Sequence, residues 1–339
     1  MTTAPLLELR NLSTHYVSAQ GSRVVRAVDD VSLSIRAGET LGIVGESGSG
    51  KSTLALTILR ILPPAARIVG GQMLFEGEDL VRKSDAEMRR IRGKRIAMVL
   101  QDPMASLNPL FTIGDQIAET LRVHEGTRRR AAWQRARELL RAVRIPSAET
   151  RVTQYPHEMS GGMRQRIVGA IGISCGPRLL IADEPTTSLD LTIQAQYLNL
   201  LRELQQAHGL ALIFITHNLG IVAKMCDRLA VMYAGRVVEA GPVGRIFNAP
   251  THPYTEALLN SIPRISDDRQ RLTAIEGQPP DLSALPPGCA FAARCPHTVP
   301  RCHEEAPPER RFGGDRQTRC WLTAAEGEPA GLKAASGAL

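Results

Sequence analysis

Gly45-Glu46-Ser47-Gly48-Ser49-Gly50-Lys51-Ser52 is the stretch on which the fold turns. It fills the pattern G-x-x-x-x-G-K-S/T at every fixed position. Before it stands Thr40–Val44, a continuously apolar run that reads as a buried strand. After it a helix is expected from about Ser52 to Leu62, stopped by Pro63-Pro64. Strand, glycine-rich turn and helix together make an anion cradle. The glycines let backbone N–H groups turn inward on phosphate oxygens, and the helix N-terminus adds partial positive charge. Gly45, Ser47, Gly48, Ser49, Gly50, Lys51, Ser52 and Thr53 are the candidate nucleotide contacts. Lys51 is placed to reach the β- and γ-phosphates, and the Ser52 hydroxyl to ligate Mg2+. The chain has five lysines, Lys51, Lys83, Lys94, Lys224 and Lys333, so one in this loop is informative.

A second chemical element lies downstream. Leu179-Leu180-Ile181-Ala182-Asp183-Glu184 is an apolar strand ending in two acids. Asp183 can hold Mg2+ and Glu184 can polarise an attacking water. Phosphoryl transfer needs little more than charge neutralisation and an aligned nucleophile. Alone, two acids after a strand describe many solvated loops; beside a phosphate loop the phosphoryl-transfer reading dominates, though GTPases, kinases and helicases share such a loop and other elements must decide.

The rest of the chain bounds the reading. Its 339 residues suffice for one large α/β domain and a smaller appendage. No run of about 18 uncharged apolar residues occurs. Met1–Arg10 lacks a basic region followed by an apolar core. The expectation is a chain that starts and stays in the cytoplasm. The net charge of +7 is carried mostly by arginine. The densest basic stretch, Arg122 to Arg151, reads as an amphipathic helix with a wet arginine face, so no nucleic-acid partner is expected. Short strands are expected at Leu6–Leu9, Val24–Val28 and Val31–Ile35, with another at Ile96–Leu100. The region Ile113–Ile145 should be helical, as should Ile167–Ser174 and Thr192–Ala207. Ala211–Ile215 reads as a strand, and Leu229–Tyr233 with Val237–Glu239 as a hairpin.

Cys175 and Cys226 read as small buried residues. Cys289, Cys295, Cys302 and Cys320 crowd the last quarter in the spacing C-x5-C-x6-C-x17-C. In a cytosolic chain clustered thiols suggest a metal rather than disulfides. A tetrahedral zinc, an iron–sulfur cluster and four reduced thiols all remain open, with His297 and His303 as substitute ligands or surface residues.

Ser160-Gly161-Gly162-Met163-Arg164-Gln165-Arg166 opens a helix shortly before the acidic strand and resembles the ABC signature sequence. A serine and two glycines at a helix start form a second anion site. The chain has its own phosphate loop, so the second site implies a facing copy. The other ABC elements follow in family order. Gln101 stands where the Q-loop glutamine contacts Mg2+ and senses the γ-phosphate. Ser188-Leu189-Asp190 stands where the D-loop does, His217 where the switch histidine contacts the γ-phosphate, and Tyr16 where an aromatic stacks on adenine. The resemblance implies a P-loop NTPase of the ABC ATPase type. Its α/β core would carry an antiparallel β subdomain and a helical subdomain at about 102–175.

The branch is narrower still. Gln101–Pro109, Tyr155–Arg166, Ala182–Asp190 and Thr251-His252-Pro253-Tyr254-Thr255 resemble the oligopeptide/dipeptide importer ATPases. Met159 and Met163 depart from the general signature, the second as is usual in this branch. The similarity spans about Leu6 to Leu322, and Pro286–Cys320 resembles the branch's C-terminal extension. The resemblance implies ATP and Mg2+ as cofactors, with Ser52, Gln101 and Asp183 around the metal and Glu184, His217 and Gln101 as catalytic residues. It favours a 4Fe–4S cluster on the four cysteines, with Zn2+ as the alternative. It implies three kinds of partner: a second, homologous but non-identical ATPase subunit, two membrane permease subunits and an extracytoplasmic solute-binding protein. The chain would then sit peripherally on the cytoplasmic face of the inner membrane. The segment from about Asp102 to Thr120 would receive the coupling helices of the permeases. The expected domains are 1–260 (ATPase), 261–323 (extension) and 324–339 (disordered tail). An ABC ATPase does not touch its cargo, so dipeptides, longer peptides, nickel chelates, glutathione and sugars are not distinguished. A DNA-repair or translation ATPase of the same superfamily would carry two cores or a long coiled-coil insertion, and neither is present. A regulator that does not hydrolyse ATP is disfavoured by Glu184 and His217.

Overall fold

The computed structural model describes residues 4–187, 189–261, 274–313 and 315–323. Its strands, in chain order, are β1 (Leu7–Val17), β2 (Val24–Ile35), β3 (Thr40–Val44), β4 (Ala66–Phe75), β5 (Glu78–Asp79), β6 (Ile96–Val99), β7 (Leu179–Asp183), β8 (Ala211–Ile215), β9 (Arg228–Tyr233), β10 (Arg236–Pro242), β11 (Arg310–Phe312) and β12 (Arg316–Thr318). The chain divides into two compact units. One holds the N-terminal residues to Leu6, Ile35–Thr40 and Arg82–Ile215; the other holds Leu7–Ser34, Leu41–Val81 and the chain from Thr216 onward.

In the first unit β7 lies between β6 and β8, both parallel to it, with Ile181 opposite Met98 and Ile213. Every residue of β7 and β8 is buried. This explains their unbroken apolar sequences, since a parallel strand is covered on both faces. Helices Ile113–Glu125 and Arg129–Ala142 pack on each other through Ala118, Leu121 and Ala132. Arg128, Arg129 and Arg130 are exposed, so the basic stretch is the wet face of a packed helix. Helix Gly161–Ile173 buries Ile167, Val168, Ala170 and Ile173. Its Gly172 admits Val99 and Leu180, which would lie 3.3 and 3.4 Å from an added Cβ.

In the second unit an antiparallel sheet runs in the order β2-β1-β4-β5. Two corrections to the expected strands arise here. β1 and β2 are longer than the short segments expected, and β4 was not expected at all. Its sequence, Ala-Arg-Ile-Val-Gly-Gly-Gln-Met-Leu-Phe, carries Gly70-Gly71 in mid-strand, which reads as a turn. Opposite these glycines β1 is irregular between Arg10 and Thr14, and Asn11 takes φ 49°. A Cβ on Gly71 would come within 2.5 Å of the Asn11 carbonyl oxygen, so only glycine fits. The other sheet of this unit places β9 between parallel β3 and antiparallel β10. β12 then pairs with β10 and β11 with β12, so the C-terminal extension adds two strands to this sheet. The core beneath it gathers Val44, Val231, Tyr233, Ile246, Tyr254 and Phe291. The rings of Tyr233, Tyr254 and Phe291 meet with centroids 4.5–5.4 Å apart.

Candidate functional site

In the second unit the phosphate-loop residues form the turn expected of them between β3 and the helix Lys51–Leu59. Gly45 and Gly50 are required by close approach. An added Cβ would lie 2.1 Å from the Met232 carbonyl oxygen at Gly45, and 2.1 Å from that of Ala27 at Gly50. Gly48 and Gly50 also take φ of 78° and 102°, open to glycine at little cost. Lys51 Nζ donates to the carbonyls of Gly45 and Glu46, each at 2.8 Å, and approaches Ser49 Oγ at 3.4 Å. The ammonium is thereby held against its own loop. The Glu46 N–H donates to Tyr254 Oη at 2.9 Å. Tyr16 Oη lies 3.3 Å from Thr53 Oγ1, which places the expected adenine-side aromatic over the first turn of the loop's helix. His217 is exposed, two residues beyond β8.

In the first unit Asp183 closes β7 and is buried, and Glu184 follows it. Glu184 takes φ 46°, a left-handed conformation that costs a non-glycine residue about 1–3 kcal/mol. Its N–H donates to the Ile215 carbonyl at 2.9 Å. Its carboxylate oxygen Oε2 accepts from Gln101 Nε2 at 3.1 Å and from Thr187 Oγ1 at 3.0 Å. Gln101 and Glu184, the expected Q-loop glutamine and water-polarising acid, are therefore neighbours, and Thr187 is a third member that the sequence alone did not single out. Ser160 caps the helix Gly161–Ile173, its Oγ accepting from the Met163 N–H. An added Cβ on Gly162 would lie 2.7 Å from Ile193 Cγ2, so this glycine is needed for packing as well as for any anion. Asp190 caps the helix Leu191–His208, accepting from the N–H groups of Thr192 and Ile193. Ser188 lies outside the described residues, as does the expected tail 324–339.

Among the described residues no group of three or more His, Cys, Asp or Glu side chains is placed to hold a metal ion, which supports neither the expected iron–sulfur cluster nor its zinc alternative. The thiols are nonetheless neighbours. Burial raises the pKa of Cys289, Cys295 and Cys320, the last to about 11, and charge on the other thiols of the set adds to the rise. The Cys289 N–H donates to the Cys302 carbonyl at 2.7 Å, and Gly288 permits this approach, since a Cβ there would lie 2.1 Å from the same oxygen. His303 is exposed and pairs with Thr298 Oγ1 at 3.3 Å. Cys175 and Cys226 are half-buried rather than buried.

Comparison with known proteins agrees with the geometry. The family described as ABC transporter matches residues 28–187, and the one described as oligopeptide/dipeptide transporter, C-terminal region, matches residues 238–302. A probable peptide ABC transporter ATP-binding protein of Sinorhizobium fredii is 50% identical over 93% of this chain and 94% of its own. A putative peptide import ATP-binding protein of Brucella melitensis is 49% identical over 94% and 98%. Among solved structures, a dimeric ATP-binding cassette in a post-hydrolysis state with ADP and Pi matches at TM-score 0.63 and 25% identity, over 70% of this chain and 98% of that one. CbiO1 of Clostridium perfringens, part of the ABC transporter complex CbiONQ, matches at TM-score 0.62 and 27% identity, over 72% and 91%. The chain belongs to the ABC transporter ATP-binding proteins, ATPases that bind ATP with Mg2+, and carries the C-terminal region of their oligopeptide/dipeptide branch.

Proposed function

We propose that this chain is the ATP-hydrolysing subunit of an importer that takes up peptides, the cargo class in the names of its 50%-identical relatives. The observation that carries the reading is the Glu184 carboxylate at the end of β7, aimed by Gln101 and Thr187. A fixed acceptor there can align and polarise a water. The loop Gly45–Ser52, with Lys51, supplies the N–H groups and charge that hold the triphosphate. Ser52, Gln101 and Asp183 are hard oxygen donors of the kind Mg2+ takes. Bound there, the metal would neutralise charge on the phosphate oxygens. His217 is the γ-phosphate contact and Tyr16 the adenine contact.

Ser160–Gly162 and Asp190 belong to the face that caps a nucleotide held by a second ATPase subunit. Leu191, 82% exposed beside Asp190, supports an interface at this place. Leu100, Met104, Leu110 and Phe111 are exposed large apolar side chains within twelve residues. They suit the docking of permease coupling helices, since such exposure usually marks an interaction surface. Among the described residues no helix is long and apolar enough to cross a membrane, so the two permease subunits would supply the passage and hold the chain at the cytoplasmic face. An extracytoplasmic binding protein would choose the cargo. The domain reading is an ATPase domain to residue 260 and an extension from 261 to 323. In the extension, Cys289, Cys295, Cys302 and Cys320 would hold a 4Fe–4S cluster, with Zn2+ as the alternative. An absorption spectrum of anaerobically purified protein tests this: a broad visible band is expected, and colourless iron-free protein would count against it.

The catalytic reading is tested with Glu184→Gln in the assembled transporter. ATP binding should persist while turnover falls about 100-fold or more and the two ATPase subunits stay closed on ATP. Steady-state hydrolysis near the wild-type rate would remove Glu184 from its role.

A further inference from the structure

Glu46, the second residue of the phosphate loop, is a carboxylate inside an anion cradle, and the C-terminal extension holds it. Arg294 grips it with both prongs: Nη1 donates to Oε2 at 2.8 Å and Nη2 to Oε1 at 3.0 Å. The Arg294 side chain is only 5% exposed, against 25% for Glu46. Its other donor contacts lie within the same unit. Nε donates to the Glu276 carbonyl at 2.9 Å, Nη2 to the Ile275 carbonyl at 3.2 Å and Nη1 to Tyr233 Oη at 3.1 Å. The guanidinium also stands 5.8 and 5.9 Å from the ring centroids of Tyr233 and Phe291. All three nitrogens are thus engaged, which fixes the fork and, through it, the Glu46 carboxylate. The partners are 248 residues apart in sequence.

We propose that Arg294 is a positioning residue of the nucleotide site, which tethers and neutralises Glu46 so that the extension sets how readily the loop accepts a triphosphate. The proposal rests on Gly45–Ser52 being the nucleotide site. Without Arg294 the loop would retain a carboxylate with no counter-charge beside the phosphate oxygens. Repulsion between like charges in a partly buried site is weakly screened. Arg294 touches neither nucleotide nor reacting atoms; it acts through Glu46.

The test uses the full-length protein and a fluorescent ATP analogue, with Kd and the KM and kcat of ATP hydrolysis read in parallel. Arg294→Gln should weaken nucleotide binding about tenfold, as expected for one lost charge-assisted interaction, and raise KM more than it lowers kcat. The double variant Arg294→Gln/Glu46→Gln should recover most of the affinity, because the freed carboxylate does the harm. Should Arg294→Gln fail to fold, Arg294→Lys is read in its place. It keeps the charge and loses one prong, and should weaken binding about threefold, reversed by Glu46→Gln. Wild-type affinity in the folded single variant, or no recovery in the double, overturns the proposal. Wild-type and Lys51→Ala proteins separate this from failure of the site itself: if Lys51→Ala binds like wild type, the nucleotide reading has failed and not only the clamp.

Discussion

The phosphate loop and the C-terminal extension solve opposite problems. In the role proposed for it the loop presents backbone N–H groups to an anion, so its requirements are local: glycines at fixed intervals, a strand before and a helix after. The extension must stay attached to a sheet, and it does so with charged side chains whose partners lie far along the chain. Glu239 on β10 shows the device. It is fully buried and accepts from the Thr251 N–H and Oγ1 at 2.9 and 2.8 Å, the His252 N–H at 3.0 Å and Arg316 Nη2 of β12 at 3.2 Å. Arg316 also donates to the Ala249 carbonyl. A buried carboxylate is tolerated because both oxygens accept, Oε1 from three of these donors and Oε2 from the His252 N–H. The contrast teaches that a binding motif is written contiguously, whereas the anchorage of an appendage is written in pairs.

Substitutions can break each side of this contrast separately. The largest effect is expected from Glu239→Ala, which strands Arg316, 4% exposed, without its counter-charge. Stability should fall by about 3–5 kcal/mol, read from chemical denaturation. Replacing both partners by apolar residues of similar size should restore most of it. A loss below about 1 kcal/mol would show that the extension is held by its apolar core instead. Next comes Lys51→Ala. Nucleotide affinity should fall about 100-fold, the worth of one or two charge-assisted contacts, while the denaturation midpoint moves little. A collapse of the fold would mean that the lysine's bonds to the Gly45 and Glu46 carbonyls serve structure first.

The smallest effect concerns protons. Burial pushes the His252 pKa down to about 3. Its Nδ1 accepts the Tyr254 N–H at 3.0 Å, which caps the helix Pro253–Asn260. The unfolded chain therefore binds a proton between about pH 6.5 and 3 that the folded chain refuses. This stabilisation is whole above pH 6.5 and is lost as pH falls, at up to about 1.4 kcal/mol per unit. His252→Asn keeps a capping oxygen and cannot titrate. Its stability should fall less steeply than the wild type's between pH 6.5 and 5, and equal slopes would deny His252 this share.

The same division decides what was legible in the sequence. Gly45–Ser52, the two acids Asp183 and Glu184, Ser160–Gly162 and Gln101 stand out because chemistry dictates their type and their order. The buried strands β7 and β8 were plain from their apolar runs. β4 was hidden by Gly70-Gly71, whose purpose appears only when β1 is laid beside it. Thr187 was invisible because its meaning is a hydrogen bond to Glu184. Tyr254 sat within a stretch already marked by resemblance, yet its bond to the Glu46 N–H spans 208 residues, and nothing local announces it. The cysteine spacing said that thiols would gather. It could not say that the Cys289 N–H would meet the Cys302 carbonyl, because that depends on how Gly288 and Cys302 approach.

The two short strands at the end of the chain also bear on how the protein can be handled. β12 occupies the side of β10 that would otherwise present a row of open N–H and C=O groups. The outermost strand, β11, is three residues long and carries Arg310 and Arg311. A brief, cationic border of this kind discourages recruitment of another chain. A truncation at residue 260, intended to harvest a minimal ATPase, would strip that border and bare β10 as a template for pairing. Such a fragment should precipitate on expression, and a shortened protein should instead keep everything through Thr323.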